Sequence, residues 1–431
     1  MNFYSLNHKA PNASFREAVI AGIAPDRGLY FPEHISPLLP AFFDGITDLA
    51  HPEIAFESIR QFVKEDIPDD TLYDILEKVL DFDFPVVEIE ENVAALELFH
   101  GPTMAFKDVG ARFMAQCLGY FSKDNDDEIT VLVATSGDTG GAVANGFLGV
   151  DGVKVVILYP SGKVSDIQER QLTTLGQNIS ALEVEGTFDD CQKMVKTAFL
   201  DKTLSGNIRL TSANSINVAR WLPQLFYFLF AFKQAKLEEK EIVFSVPSGN
   251  LGNLCAGMVA QKLGMPCKHF IASTNVNDTV PQFMHSGEYR PKPSTATISN
   301  AMDVGDPSNF VRIRHLYKDN FTELKKNLSS YAFTDMQTKA AMEKVFQDSG
   351  YILDPHGAVG YLGLKCYMEN HPQTYGIFLE TAHPVKFLDV VERTIDQSLE
   401  LPLQIKNLMG KTKKSIKIST YQELNDHLSK G

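Results

Sequence analysis

Cysteine is scarce in this 431-residue sequence: Cys117, Cys191, Cys255, Cys267 and Cys366 are odd in number and show no C-x-x-C spacing. Neither a disulfide framework nor a zinc cluster is indicated, and a reducing, cytoplasmic compartment is expected. Long apolar runs are missing too. The most apolar one, Trp221 to Phe232, is too short to cross a bilayer, and the N-terminal MNFYSLNHKA lacks the apolar core of a secretory leader, so a soluble, unprocessed chain is expected. Positive charge is not in excess. The net charge of −14 argues against nucleic acid or an anionic membrane as the main partner, while leaving room for a local anion pocket. His100, His356 and His383 each lie beside Gly or Pro in a turn with no close ligand partner, so turn or pocket packing is expected of them rather than a metal site. Repeats and low-complexity tracts are not found.

What is present is an ordinary globular composition, 44% hydrophobic, with a length prior of about three domains. Residues 1–90 read as a helical N-terminal domain, with Leu72, Ile75, Leu76 and Val79 on one face of a helix after Pro68. From 93 to 215, β-branched runs (Ile129 to Ala134, Val153 to Tyr159, Ala181 to Glu185) alternate with helical patterns, which implies a parallel sheet wrapped by helices. One long apolar helix is expected from Val218 to about Lys236, followed by a second α/β run that opens with the strand Ile242 to Val246. Thr334 and Gln337 form a capping-box pattern ahead of a helix that Gly350 stops, and Ile377 to Thr381 is a late strand. The expected division is therefore 1–90, 91–235 and 236–431, the last two being α/β domains that could be interleaved.

Lys107 is the first candidate for chemistry. It follows an apolar strand, Val93 to Phe99, and a Gly101-Pro102-Thr103 break, and it opens a helix marked by Phe106, Val109, Phe113, Met114 and Cys117. A cation is disfavoured at a helix N-terminus, so the neutral amine that a Schiff-base lysine needs is easier to reach there. A lysine in a first helical turn is nonetheless more often solvated than catalytic.

Two further turns sit between a strand and a helix. In Val246 to Asn253 (VPSGNLGN), backbone amides at a helix start suit a phosphate; the glycines are three apart and no Lys-Ser or Lys-Thr follows, so a phosphate monoester fits better than a dinucleotide or nucleoside triphosphate. In Ala134 to Ala142 (ATSGDTGGA), hydroxyls and free amides suit an anion such as a carboxylate. Arg220 opens an otherwise apolar helix; its planar fork suits bidentate phosphate binding, and a structural ion pair is the competing reading.

These turns, together with GLYFPE at 28–33, HGPTMAFKD at 100–108, SANSIN at 212–217, AMDVGDPSN at 301–309, LDPHGAVGY at 353–361 and TAHPVKF at 381–387, resemble the pyridoxal-phosphate enzymes of the tryptophan-synthase β-chain fold (fold type II). Among them the resemblance is closest to the threonine synthase family, and it runs over most of the chain. It implies two parallel-sheet α/β domains with a helical N-terminal domain. It further implies pyridoxal 5'-phosphate held by Lys107, with Ser248, Gly249, Asn250, Leu251, Gly252 and Asn253 around the cofactor phosphate and Thr381 facing the pyridine nitrogen. Thr135, Ser136, Asp138 and Thr139 would meet the substrate carboxylate, the substrate phosphate or the ring oxygen, Asp138 being assigned to the cofactor. Asn214, Ser215 and Arg220 would bind the substrate phosphate. The implied reaction converts O-phospho-L-homoserine and water to L-threonine and phosphate. A threonine or serine dehydratase of the same fold and a non-catalytic nucleotide-binding protein are the alternatives. Two departures stand out: Leu251 replaces the more usual Phe, and Ser5-Leu6-Asn7-His8 replaces the usual Ser-Thr-Arg-Gly, which puts an N-terminal arginine contact in doubt.

Overall fold

The computed structural model describes residues 1–123, 128–235 and 240–429. Its strands are, in chain order, β1 (Phe3–Ser5), β2 (Tyr30–Pro32), β3 (Val86–Glu90), β4 (Val93–Glu97), β5 (Ile129–Ala134), β6 (Val153–Pro160), β7 (Ile179–Val184), β8 (Arg209–Ser212), β9 (Ile242–Pro247), β10 (His269–Thr274), β11 (Leu328–Ala332), β12 (Tyr375–Glu380) and β13 (Ile416–Ile418). β1 and β2 pair with each other, and the rest form two sheets ordered β13-β7-β6-β5-β8 and β11-β10-β9-β12-β4-β3. Every pairing in these two sheets is parallel except the β3–β4 hairpin. Parallel sheets are covered on both faces, and the continuous apolar strands ITVLVA, IVFSVP and YGIFLE are accordingly buried at every position.

The sheets belong to two compact, discontinuous units. Unit 1 comprises residues 1–31, 107–220 and 401–431, and unit 2 comprises 32–106 and 221–400. The consecutive segments expected from the sequence are thus redistributed. β4 pairs with β12 and leaves the expected 91–235 domain for the second sheet, while β13 pairs with β7 and carries the C-terminus back to the first. Residues 1–90 are not purely helical, since β1, β2 and β3 lie among their helices. The long helix expected from Val218 is also interrupted: a 3-10 turn, Leu222–Gln224, separates Val218–Trp221 from Leu225–Ala235. Pro223 in that turn has no N–H to donate and so weakens the helical ladder. Lys236, given as the end of that helix, lies outside the described residues.

Each sheet holds a winding reversal beside a central strand. In unit 1 the chain steps from β5 to β6 to β7 in one direction and then returns to lay β8 on the opposite side of β5. In unit 2 it steps from β9 to β10 to β11 and then returns to lay β12 on the opposite side of β9. At such a reversal the connections leave neighbouring strand ends in opposite directions and open a crevice, where α/β sheets bind their ligands.

Candidate active site

The unit 2 reversal carries the VPSGNLGN turn. Leu251, in the left-handed region at φ 60 and ψ 15, caps the eleven-residue helix Gly252–Lys262. Side chains in the turn brace it from within: Asn253 Nδ2 donates to the Pro247 carbonyl at 3.0 Å and its Oδ1 accepts from Leu254 N–H at 2.9 Å, while the Ser248 hydroxyl donates to the Val246 carbonyl at 2.7 Å. Asn250 is tied outward, its carbonyl accepting from Asn309 Nδ2 at 3.0 Å. A Cβ on Gly249 would lie 2.8 Å from the Ala301 carbonyl oxygen, so glycine alone permits that approach. Among the described residues, no protein acceptor takes the backbone N–H groups of Gly249 to Gly252. Convergent amides at the positive end of a helix are the donor set that a phosphate group requires.

Thr381 follows β12 on the other side of the same reversal. The parallel register pairs Phe378 with Ser245, so Thr381 leaves its strand at the level where Ser248 leaves β9. The Thr381 carbonyl accepts from Phe106 N–H at 2.9 Å, and the His383 N–H donates to the Met104 carbonyl at 3.0 Å. The segment that delivers Lys107 is therefore stitched to the strand end bearing Thr381. Tyr227 donates its hydroxyl to the Phe106 carbonyl, and Lys386 Nζ donates to the Thr103 carbonyl at 2.9 Å. Met104 at φ 58 is a second non-glycine in the left-handed region, the kind of local strain that collects at functional sites. Burial draws His383 down to about 4, which leaves it neutral, and its Nδ1 accepts from Val385 N–H.

Behind Thr381 lies a buried acid cluster that the sequence did not expose. Glu380 Oε1 accepts from Asp354 N–H at 2.6 Å, and Asp354 Oδ1 lies 2.5 Å from His356 Nδ1. His356 Nε2 accepts from Ala301 N–H at 3.2 Å, so the neutral Nδ1–H tautomer satisfies both bonds. Three motifs thus lean on one another: LDPHGAVGY supports AMDVGDPSN, which supports VPSGNLGN.

In unit 1, Lys107 is half-buried and opens the helix Lys107–Ser122. One turn on, a Cβ on Gly110 would come 2.5 Å from the carbonyl oxygen of Arg220, so the helix packs directly on the backbone of that buried arginine. The unit 1 reversal carries the ATSGDTGGA and SANSIN turns, which Asn214 joins by donating to the Ala134 carbonyl at 3.1 Å. Thr135 is fully enclosed, its Oγ1 accepting from Gly137 N–H at 2.9 Å and Gly140 N–H at 2.8 Å; its oxygen shapes the turn. Ser136, Thr139 and Ser215 are half-buried. Asp138 accepts from Gln168 Nε2 at 3.0 Å, and Gln168 also fills the space a Cβ on Gly137 would need. The sequence reading gave Gln168 no role, although its place in the Ser165/Gln168 capping box was a visible signal of a helix start there.

A family model described as "Threonine synthase N terminus" matches residues 2–80, "Pyridoxal-phosphate dependent enzyme" matches 85–375, and "Threonine synthase, C-terminal" matches 357–427. A threonine synthase of Haemophilus influenzae is 45% identical over 93% of this chain and 93% of its own length. The crystal structure of threonine synthase from Escherichia coli covers 100% of both chains at 41% identity, with a TM-score of 0.94. The chain belongs to the threonine synthase family. A third relative, a threonine synthase from Brucella melitensis described as PLP bound, is 31% identical with a TM-score of 0.93 and covers 99% of this chain and 98% of its own. Membership makes the chain a pyridoxal-phosphate dependent enzyme and sets aside the non-catalytic nucleotide-binding alternative. The donor amides of Gly249 to Gly252 suit a phosphate group such as the cofactor's, and the buried residue that follows β12, Thr381, is a neutral hydroxyl rather than a carboxylate.

Proposed function

We propose that this threonine synthase family member converts O-phospho-L-homoserine and water to L-threonine and inorganic phosphate, with Lys107 as the cofactor-bearing lysine and proton carrier. The observation that carries this reading is the placement of the motif turns at the winding reversals of the two sheets, where α/β enzymes bind ligands. When bound, pyridoxal phosphate supplies a conjugated ring that draws electron density from the substrate α-carbon. The protein's own groups do the rest. Amides of Gly249 to Gly252 would hold the cofactor phosphate, in a loop that Ser248, Asn250 and Asn253 brace, and Thr381 would offer the ring a neutral hydroxyl that fixes no charge on it. Lys107, which would hold the cofactor at rest, would take the proton from Cα and one from Cβ and return protons to Cγ and Cα, with water adding at Cβ once phosphate has left Cγ. Arg220, Asn214 and Ser215 take up negative charge as phosphate leaves Cγ. Ser136 and Thr139 would bind the substrate carboxylate, Thr135 holds their turn in shape, and Asp138 would serve the cofactor from the same turn.

A cytoplasmic location belongs to the same reading, supported by five cysteines that form no disulfide. The deciding assay supplies O-phospho-L-homoserine and measures phosphate alongside the amino-acid product. Equal amounts of phosphate and threonine are expected. A keto acid with ammonia in place of threonine would give the dehydratase reading instead. Lys107→Ala should lose both turnover and the visible absorbance of the lysine–cofactor link, and retention of either removes Lys107 from its role.

A further inference from the structure

Arg312 is fully buried on the short helix Phe310–Leu316, a place where a guanidinium is costly and an apolar residue would serve packing as well. Burial draws it down to about 9, so at neutral pH it still carries its charge. Its guanidinium carbon lies 4.6 Å over the ring of Trp221, and its Nη1 donates to Asn309 Oδ1 at 2.6 Å. That short, charge-assisted bond decides which way the Asn309 amide points: with Oδ1 on the arginine, Nδ2 must face away from it.

Asn309 Nδ2 accordingly donates to the Asn250 carbonyl at 3.0 Å, and Asn309 N–H donates to the same oxygen at 3.2 Å. The Asn250 side chain is held as well, its Oδ1 accepting from Ser308 N–H at 3.3 Å. The peptide between Asn250 and Leu251 is trans, and in a trans peptide C=O and N–H point in opposite directions. Fixing the Asn250 carbonyl on Asn309 therefore aims the Leu251 N–H to the other side of the turn. Leu251 itself stands at φ 60, a conformation an L-residue keeps only when its neighbours enforce it.

We propose that Arg312 is a positioning residue that, through Asn309 and the Asn250 carbonyl, presets the Leu251 amide to receive the cofactor's phosphate group. This rests on the reading that the 248–253 turn holds that phosphate. Arg312 acts through the turn without touching the ligand, so its removal should cost affinity for the phosphate and leave affinity for the ring unchanged.

The test titrates the full-length chain, freed of cofactor, with pyridoxal phosphate and separately with pyridoxal, following the absorbance of the lysine link. Wild type should prefer pyridoxal phosphate strongly. In Arg312→Met the ratio of the two affinities should fall at least about tenfold, the equivalent of one charge-assisted hydrogen bond, with pyridoxal binding unchanged. Asn309→Asp guards against a folding defect. It keeps an acceptor for Arg312 and removes the Nδ2 donor, so it should fold with an unchanged melting temperature and show the same fall. Arg312→Lys should restore part of the ratio. A wild-type-like ratio in Asn309→Asp, or equal losses for both ligands, overturns the proposal and leaves the phosphate-loop reading standing. A wild type without preference for the phosphorylated form overturns both.

Discussion

Glu380 ends β12 with its carboxyl fully enclosed. Its Oε2 would lie 1.3 Å from a Cβ on Gly357, so the glycine of the LDPHGAVGY segment is there to admit it. Burial, reinforced by the negative charges of Asp354 and Glu97, holds this carboxyl well above the ordinary carboxylate value of 4.5. The folded protein therefore keeps a proton that the unfolded chain gives up once pH passes about 4.5, and folding stability falls as pH rises from there toward the raised value. An amide pays no such penalty. Glu380→Gln should melt above wild type by a margin that widens from pH 5 to pH 8, at a rate approaching about 1.4 kcal/mol per pH unit while the wild-type proton is retained. Thermal melts across that range decide it, and a margin independent of pH would mean that Glu380 is ionised in the fold. Nothing local in FLETAHP announced this group, because its burial depends on β4 and on Asp354, which are distant in sequence.

At the scale of elements, the helix Asp166–Thr173 matters to the site because it carries Gln168 onto the ATSGDTGGA turn. Gln168→Leu keeps the volume and removes a donor to buried Asp138, at a cost of about 1–2 kcal/mol. The KM for the phosphorylated substrate should rise several-fold with it, and steady-state kinetics beside a melting curve would separate that from stability loss alone. An unchanged KM would confine Gln168 to a structural part. Elements with local signals were legible from the sequence. Thr334 and Gln337 with Gly350 define the helix Asp335–Ser349, and Ile129 to Ala134 is the strand β5 as read. Elements whose stability comes from partners were not. β8 (RLTS) and β13 (IKI) are short and carry little apolar pattern of their own, and each exists through pairing with β5 or β7. The motif turns were found by their glycines and hydroxyls. Their internal use was not foreseen, since the atoms that occupy the Thr135 and Ser248 side chains belong to backbone positioned by the turn itself.

For the whole molecule, the last 31 residues complete the first unit. Ile418, Leu424 and Leu428 join Leu182, Val184 and Val195 in one buried cluster, β13 covers the edge of β7, and Lys413 pairs with Asp166 at 2.7 Å and with Glu169. Burying three such side chains contributes about 5–9 kcal/mol, against a typical total of about 5–15 kcal/mol for a folded protein. A chain ended at Glu400 should therefore lose protease resistance in residues 107–220 at temperatures where the full chain is intact. Equal resistance would show the C-terminal segment to be dispensable. This interleaving was the least legible property of the sequence, because it depends on pairings such as β4 with β12 that composition and periodicity do not encode.

The β7–β13 pairing also sets a schedule for synthesis. Roughly 230 residues separate the two strands, and a ribosome adding about 5–20 residues per second needs about 10–50 s to make them. Throughout that interval the nascent chain holds out an unpaired strand edge beside apolar side chains, a template for association with other chains. A protein whose first half is finished by its last residues cannot fold from the N-terminus forward, so its yield in a cell should respond to translation speed and to chaperones that shield strand edges.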